Sequence, residues 1–435
     1  MRVAMIGAGY VGLVSGACFA DFGHTVTCID SDAARIERIV AGVMPIFEPG
    51  LDELVERNVR EGRLTFSTAM DGVVGEADAV LIAVGTPSRR GDGHADLSYV
   101  FAAVEQMAMH LDGFTVVVTK STVPVGSGDQ IEAMLRRLRP DADVAVVSNP
   151  EFLREGAAIN DFKRPDRVVV GLSDDRARGV MTELYRPLFL NETPMLFTER
   201  RTSELIKYAA NAYLAMKITF INEVADLCEA LDADVQQVAR GIGLDNRIGA
   251  KFLHAGPGFG GSCLPKDTLA LVHTAADAGA PLSLVEATVK ANDRRKTSLA
   301  ARVSRAFGGE LAGKVIGVLG LTFKPNTDDM REAPSLELIP ALLAGGAAVQ
   351  AFDPAAGEAR QLLPGVDFKS GAYEAAEGAD GLVILTEWDQ FRALDLDRLR
   401  AAMRGEVVVD LRNIYGPAEM RARGFRYISA GRREG

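Results

Sequence analysis

Cys263 lies in Gly260-Gly-Ser-Cys263-Leu-Pro-Lys266-Asp267. Paired glycines expose backbone amides, and a lysine and an aspartate follow within a turn, which suits an activated thiolate nucleophile. The other cysteines, Cys18, Cys28 and Cys228, sit inside apolar patterns and read as small buried hydrophobes. Lys207 and Asn211 are four residues apart and share one face of a helical run. Alone, that pair reads as a solvated surface stripe; only beside the other motifs does it acquire a chemical meaning. Pro150 stands where a helix could start, which would put Glu151 and Glu155 on one face near its positive end. Two carboxylates so placed could orient water or shuttle protons, and equally could be surface charges.

Gly7-Ala-Gly9-Tyr-Val-Gly12 follows a strand-like run and opens a small-residue helix. Gly7 permits the tight turn, Gly9 lets backbone amides approach a pyrophosphate, and Gly12 permits close helix-to-strand packing. An isolated GxGxxG is an ordinary glycine turn. Here Asp30 closes the next strand about 20 residues on, the context of a dinucleotide site. A carboxylate there accepts ribose hydroxyls and repels a 2′-phosphate, so NAD is expected over NADP. Arg35 slightly weakens that preference.

These groups need a scaffold, and the patterning supplies one. Arg2 to Ile6, Thr25 to Ile29 and Ala79 to Val84 read as strands of a βαβ unit. Strand-like runs recur at Thr115 to Thr119, Val144 to Val147 and Val168 to Val170, alternating with helical patterns at Leu97 to Leu111 and Gly128 to Leu138. That alternation predicts a parallel, doubly wound sheet. From Thr202 to Leu231 one long helix runs without Gly or Pro, and nothing strand-like follows until Lys314. After Gly313 the first half is echoed. Strands end at Leu319 and at Asp353, as the second strand ends at Asp30, and Asp380-Gly-Leu-Val-Ile parallels Asp78-Ala-Val-Leu-Ile. The fold expected is α/β, with two Rossmann-like doubly wound domains joined by a long-helix all-α middle domain. The second glycine turn, GVLGLTFK, lacks the full GxGxxG, which predicts a different ligand.

With 435 residues, 48% of them hydrophobic, the chain can fill two or three cores. A net charge of −11 offers no broad basic field, so neither nucleic acid nor an anionic membrane is an expected partner. Four cysteines without a CxxC pair fit a reducing cytoplasm, and five scattered histidines without HExxH leave a bound metal unsupported. The apolar opening mimics a signal peptide, but its glycines at GxGxxG spacing and the strand that follows argue against that reading.

Taken in order, GAGYVG, VGTPS, STVPVG, NPEFLREG, ELIKYAANAYLAMKITFINE, RIGAKFLHAGPGFGGSCLPKD and LGLTFKPNTDDMREAPS resemble the UDP-glucose 6-dehydrogenase family, within the UDP-glucose and GDP-mannose dehydrogenase superfamily. The resemblance covers nearly the whole chain. It implies an NAD-binding domain over 1–200, a helical dimerisation domain over 201–300 and a UDP-sugar-binding domain over 301–435. It makes Cys263 the nucleophile, Asp267 the acid that helps activate water or substrate, and Lys207 and Asn211 the groups around the reacting oxygen. Thr122 and Glu151 are similar to residues that position water and move protons. For the cofactor it implies Gly7, Gly9, Val11, Gly12, Asp30, Arg35, Thr86, Thr122, Glu155, Lys266 and Arg331. For the nucleotide sugar it implies Glu151, Lys207, Asn211, Phe252, Leu253, His254, Ala255, Gly256, Gly260 and Lys324, with Arg412 a further contact. Arg247 is similar to an arginine that reaches the substrate of a neighbouring subunit, which implies a homodimer or larger homo-oligomer.

The implied reaction is a four-electron oxidation of UDP-glucose to UDP-glucuronate, with two NAD consumed and a thiohemiacetal and thioester formed on Cys263. GDP-mannose or a UDP-N-acetylhexosamine would suit the same chemistry. A simple two-electron dehydrogenase would need no Cys263, and a cofactor-binding regulator would need neither Cys263, Lys207 nor Asp267.

Overall fold

The computed structural model describes residues 1–89 and 93–433. Met1–Ala210 with His273–Gly279 forms one compact unit, and Asn211–Val272 with Ala280–Gly435 the other.

The first unit is built on an eight-stranded sheet: β1 (Arg2–Ile6), β2 (Thr25–Ile29), β3 (Leu64–Ser67), β4 (Ala79–Ile82), β5 (Thr115–Thr119), β6 (Val144–Ser148), β7 (Val168–Gly171) and β8 (Met195–Thr198). The order is β3-β2-β1-β4-β5-β6-β7-β8. β1 through β6 run parallel, as the alternating pattern predicts. β6 and β7 meet antiparallel through Ser148 and Gly171, so β7 and β8 reverse the sheet's direction. β4 and β5 are buried throughout, which is why they read as unbroken apolar runs rather than alternating ones. Helices cover both faces, giving two apolar layers, one around Leu13, Phe19 and Met181, the other around Val104, Met107 and Ile131.

The second unit carries a six-stranded parallel sheet: β9 (Val315–Leu319), β10 (Ala348–Phe352), β11 (Asp367–Phe368), β12 (Gly381–Ile384), β13 (Val407–Asp410) and β14 (Arg426–Ser429), in the order β11-β10-β9-β12-β13-β14. This is the strand order of a dinucleotide-binding half-sheet pair, and β3-β2-β1-β4-β5-β6 repeats it in the first unit. The repeat extends to detail. The Asp78 carboxylate accepts the Arg2 N–H at 2.8 Å, pinning the start of β1 beside β4, and Asp380 accepts the Val315 N–H at 2.8 Å to do the same for β9 and β12.

Before β9 the chain is helical, through Arg200–Leu231, Val235–Gly243, Leu264–Asp277 and Ser283–Ala306. Among the described residues no helix is long and apolar enough to cross a membrane.

Candidate active site

The glycine turn has the shape its sequence requires. Gly7 takes φ +103°, and a Cβ on Gly12 would lie 1.8 Å from the Gly7 carbonyl oxygen, so neither position admits a side chain. The helix Tyr10–Asp21 starts after Gly9 with no side-chain cap, and the space a Gly9 Cβ would occupy is open. Its first-turn N–H groups, that of Val11 among them, are thus left to an anionic ligand. Asp30 Oδ2 accepts the Ala8 N–H at 2.8 Å and Arg35 Nη1 at 2.8 Å, while Oδ1 accepts the Asp32 N–H at 3.0 Å. Burial alone would raise its carboxyl pKa, but those N–H donors and the Arg35 guanidinium hold it below the ordinary range. With about four lone-pair sites on a carboxylate, one remains for a ribose hydroxyl. An uncapped helix end beside an ionised acid fits the pyrophosphate and ribose of NAD. Thr86 joins this end to the STVPVG turn by donating its hydroxyl to the Thr122 carbonyl at 2.9 Å.

Also in the first unit, Lys207 is 2% exposed and donates to Glu151 Oε1 at 3.1 Å, its ammonium lying 5.3 Å from the Phe152 ring centre. A buried ion pair at that distance is held only where its surroundings stay fixed. Glu204, one turn earlier on the same helix, fixes them by accepting the Gly126 and Gly128 N–H groups at 2.6 and 2.8 Å and the Ser148 hydroxyl at 2.9 Å. Thr122, Ser148, Glu204 and Lys207 line a cavity of about 10 Å³, the size of one water. The helix expected from Pro150 does not form. The chain is irregular until Ala158–Lys163, because Glu151 Oε2 accepts the Leu153 N–H at 2.5 Å and its other oxygen is drawn to Lys207. Glu151 and Glu155 therefore do not share a helix face.

The second unit holds the nucleophile candidate. Cys263 directly precedes the helix Leu264–Asp277 and gives that helix its first acceptor, its carbonyl taking the Asp267 N–H at 2.9 Å. The thiol is half-buried, whereas Cys18, Cys28 and Cys228 are buried, and burial pushes the first two up to about 12 and raises the third. A helix N-terminus favours a negative sulfur, so of the four cysteines Cys263 is the candidate for nucleophilic work. One turn on, Asp267 is 1% exposed, pairs with Lys266 at 2.8 Å and accepts from Asn211 Nδ2 at 2.6 Å.

The loop ahead of Cys263 is held from below. Asn222 accepts the Gly256 N–H at 2.8 Å, Arg295 donates to the Gly256 carbonyl at 2.9 Å, and Asn292 bonds both backbone groups of Phe259. Gly260 is pressed against the chain, since a Cβ there would lie 2.3 Å from the Glu332 carbonyl. Phe252 adopts φ +66°, Leu253 and Ala255 are buried, and His254 is exposed. Lys324 Nζ lies 5.4 Å from the Phe323 ring centre, and Arg412 donates to the Phe323 and Leu385 carbonyls at 2.9 and 2.8 Å.

The structure divides the expected residues between the units. Gly7 through Arg35, Thr86, Thr122, Glu151, Glu155 and Lys207 belong to the first. Asn211, Arg247, the 252–256 loop, Gly260, Cys263, Lys266, Asp267, Lys324 and Arg331 belong to the second. Arg331 is exposed and pairs with Asp329 at 2.8 Å; Arg247 is 89% exposed and pairs with Asp245 at 2.6 Å. Lys120 and Glu48 are among the buried charges that the sequence reading did not single out. Lys120 follows β5 and donates to Tyr185 Oη at 3.0 Å and Asn149 Oδ1 at 3.2 Å, beside Pro150 and Glu151. Glu48 lies between Pro45 and Pro49, and its only signal was an acid inside an otherwise apolar PIFEPG.

Residues 1–189 match the NAD binding domain of the UDP-glucose/GDP-mannose dehydrogenase family, residues 201–294 its central domain and residues 317–417 its UDP binding domain. The chain is 63% identical over 435 residues to a UDP-glucose 6-dehydrogenase of Rhizobium meliloti, covering 99% of this chain and 100% of that one. It superposes on a UDP-glucose dehydrogenase of Pyrobaculum islandicum with a TM-score of 0.91 at 38% identity, covering 99% and 98% of the two chains. A UDP-D-ManNAc dehydrogenase of Pyrococcus horikoshii gives 0.87 at 26% identity with both chains fully covered. With these matches spanning its length and an NAD-shaped turn at its start, the chain belongs to the UDP-glucose/GDP-mannose dehydrogenase family and is an NAD-dependent oxidoreductase.

Proposed function

We propose that the chain oxidises UDP-glucose to UDP-glucuronate in two NAD-linked steps through a covalent intermediate on Cys263. The observation that carries this reading is Cys263 itself, a half-buried thiol at a helix start one turn before the buried Asp267–Asn211 pair. Bound NAD supplies the hydride acceptor for each oxidation. The C6 hydroxyl of the sugar gives up its proton through Lys207, Asp267 or a water as the aldehyde forms. The Cys263 thiolate adds to the aldehyde carbon and the former carbonyl oxygen takes a proton, giving a thiohemiacetal that can be oxidised to a thioester. Water then adds, the C–S bond breaks, and the thiolate returns as the acid leaves. Lys207 and Asn211 stabilise negative charge on the reacting oxygen, and Glu151 and Thr122 guide the water. The water-sized cavity beside Thr122 and Lys207 supports that last role.

The remaining assignments follow the same reading. Thr86, Glu155, Lys266 and Arg331 complete the cofactor's surroundings; Phe252 to Gly256, Gly260 and Lys324 hold the nucleotide sugar, with Arg412 a further contact. The protein works in the cytoplasm as a three-part chain dividing near residues 200 and 300, and as a homodimer or larger assembly. Arg247 then serves a neighbouring subunit. Its exposure and the exposed stripe of Tyr213, Phe220, Leu227 and Leu231 on the long helix support the assembly.

The test is the NADH yield from limiting UDP-glucose with excess NAD, run beside GDP-mannose and UDP-N-acetylglucosamine. Two NADH per UDP-glucose and little from the others is expected. One per sugar would overturn the second oxidation, and turnover of another nucleotide sugar alone would keep the mechanism and move the substrate. Cys263→Ser should bind UDP-glucose yet lose acid production by a factor on the order of a thousand or more. Full acid production by that variant would sink the thioester.

A further inference from the structure

Glu48 is 7% exposed. Its carboxylate is satisfied by donors from two different elements. Oε2 takes a hydrogen bond from the Tyr10 hydroxyl and accepts the Gly156 N–H at 2.7 Å; Oε1 accepts the Ala158 N–H at 2.7 Å. Tyr10 is the first residue of the helix that opens at the glycine turn, wedged between Gly9 and Val11. Gly156 directly follows Glu155 in NPEFLREG and takes φ +75°. Ala158 starts a helix that has no side-chain cap of its own. Burial and the neighbouring Glu48 charge raise the Tyr10 hydroxyl well above its ordinary range, so it remains a donor. A glutamine in this place would turn an N–H group toward one of these N–H donors. The environment therefore selects a carboxylate, an acceptor on both oxygens.

We propose that Glu48 is a positioning residue that ties the loop from Glu151 to Gly156 to the cofactor's glycine turn, so that cofactor binding and the setting of Glu151 and Glu155 are coupled. The assignment of Glu151 and Glu155 rests on the function proposed above. The tie is direct at Gly156, whose N–H lies within reach of both Glu48 Oε2 and, at 3.2 Å, the Tyr10 hydroxyl. At the far end of the loop Lys207 holds Glu151, and Arg154 clasps Asp161 with two side-chain bonds at 2.9 and 2.5 Å. Glu48 thus bonds both this loop and Tyr10, the residue beside Val11, and Gly156 also reaches the Tyr10 hydroxyl directly.

The test uses the full chain with Glu48→Gln and Tyr10→Phe. NAD affinity is read by calorimetry without turnover, and kcat and both KM values by NADH formation. In Glu48→Gln the dissociation constant for NAD should rise about tenfold and kcat fall comparably, the loss of one charge-assisted hydrogen bond, while KM for UDP-glucose moves less than about twofold. Tyr10→Phe, which removes one donor and leaves the carboxylate, should move the same two quantities by about threefold, and it decides the matter if the glutamine variant does not fold. Equal rises in both KM values with a lowered melting temperature, or unchanged NAD affinity, would overturn the coupling. Because NAD binding is measured without chemistry, a yield of one NADH from the wild type would count against the two-step reaction and not against Glu48.

Discussion

The two sheets share a strand order and place an aspartate after their second strand, yet the two aspartates serve different ends. Asp353 Oδ2 accepts the Leu321 N–H at 2.6 Å, the Thr322 N–H and hydroxyl at 3.1 Å each and Trp388 Nε1 at 3.3 Å; Oδ1 accepts the Ala355 and Ala356 N–H groups at 2.8 and 3.0 Å. Among the described residues, Asp30 accepts from Ala8, Asp32 and Arg35 alone. Both turns pass through a left-handed glycine, Gly7 at φ +103° and Gly320 at +88°. After Gly7 a helix begins within three residues; after Gly320 none begins until Ser335. The architecture supplies the same corner twice. Whether the corner binds a dinucleotide depends on whether its acid and helix end are left unfilled by the protein.

That contrast can be broken by substitution. Asp353→Ala removes the acceptor for every donor gathered on it and should destabilise folding by about 3 kcal/mol, read from the urea midpoint, with KM for NAD unchanged. Asp30→Ala should do the reverse. KM for NAD rises roughly thirtyfold, about 2 kcal/mol, while stability falls less than in Asp353→Ala. A thirtyfold NAD effect from Asp353→Ala, or none from Asp30→Ala, would mean that the two corners are not divided as their hydrogen bonds indicate.

Much of this duplication is legible in the sequence. Arg2–Ile6, Thr25–Ile29 and Thr115–Thr119 coincide with the strands expected, because each is an apolar run closed by glycine or polar residues and buried between helices. The missing GxGxxG after β9 was also readable, and the absent helix is its consequence. Short edge strands were not readable: Leu64–Ser67 and Asp367–Phe368 carry too few residues to show a period. Nor was the reversal at β7 and β8, since an apolar run carries no sign of its direction. The loop after Pro150 misled because Glu151 bonds its own backbone and Lys207 from a distant helix, contacts that residue spacing does not encode. The sequence singled out Cys263 and Asp267 as candidates through their local spacing, whereas Glu48 and Lys120 stand out through burial, which is a property of the folded chain.

The ends of the fifth strands sharpen the comparison further, with the smallest effect. Lys120 follows β5, and Asp410 closes β13; each is buried and bonded to a tyrosine hydroxyl, Tyr185 at 3.0 Å and Tyr427 at 2.7 Å. Burial disfavours the charged form of either. It lowers the Lys120 pKa from 10.5 to about 8 and raises that of Asp410, the latter against the pull of donors from Tyr427, Arg412, Ile414 and Tyr415. The signs of the pH dependence are then opposite. Between about pH 8 and 10.5 the unfolded chain binds the Lys120 proton more tightly than the native one, so native stability gains as pH rises through that window. For Asp410 the native state holds the proton more tightly, so its contribution is greatest below the ordinary carboxyl range and is lost as pH rises above it. Each slope is at most about 1.4 kcal/mol per pH unit, the limit for one proton. Urea midpoints of the wild type relative to Lys120→Met should therefore climb across the alkaline window, and relative to Asp410→Asn should fall with pH on the acid side. Parallel slopes in the two series would show that the charges left at matching corners of the two sheets are not governed by burial.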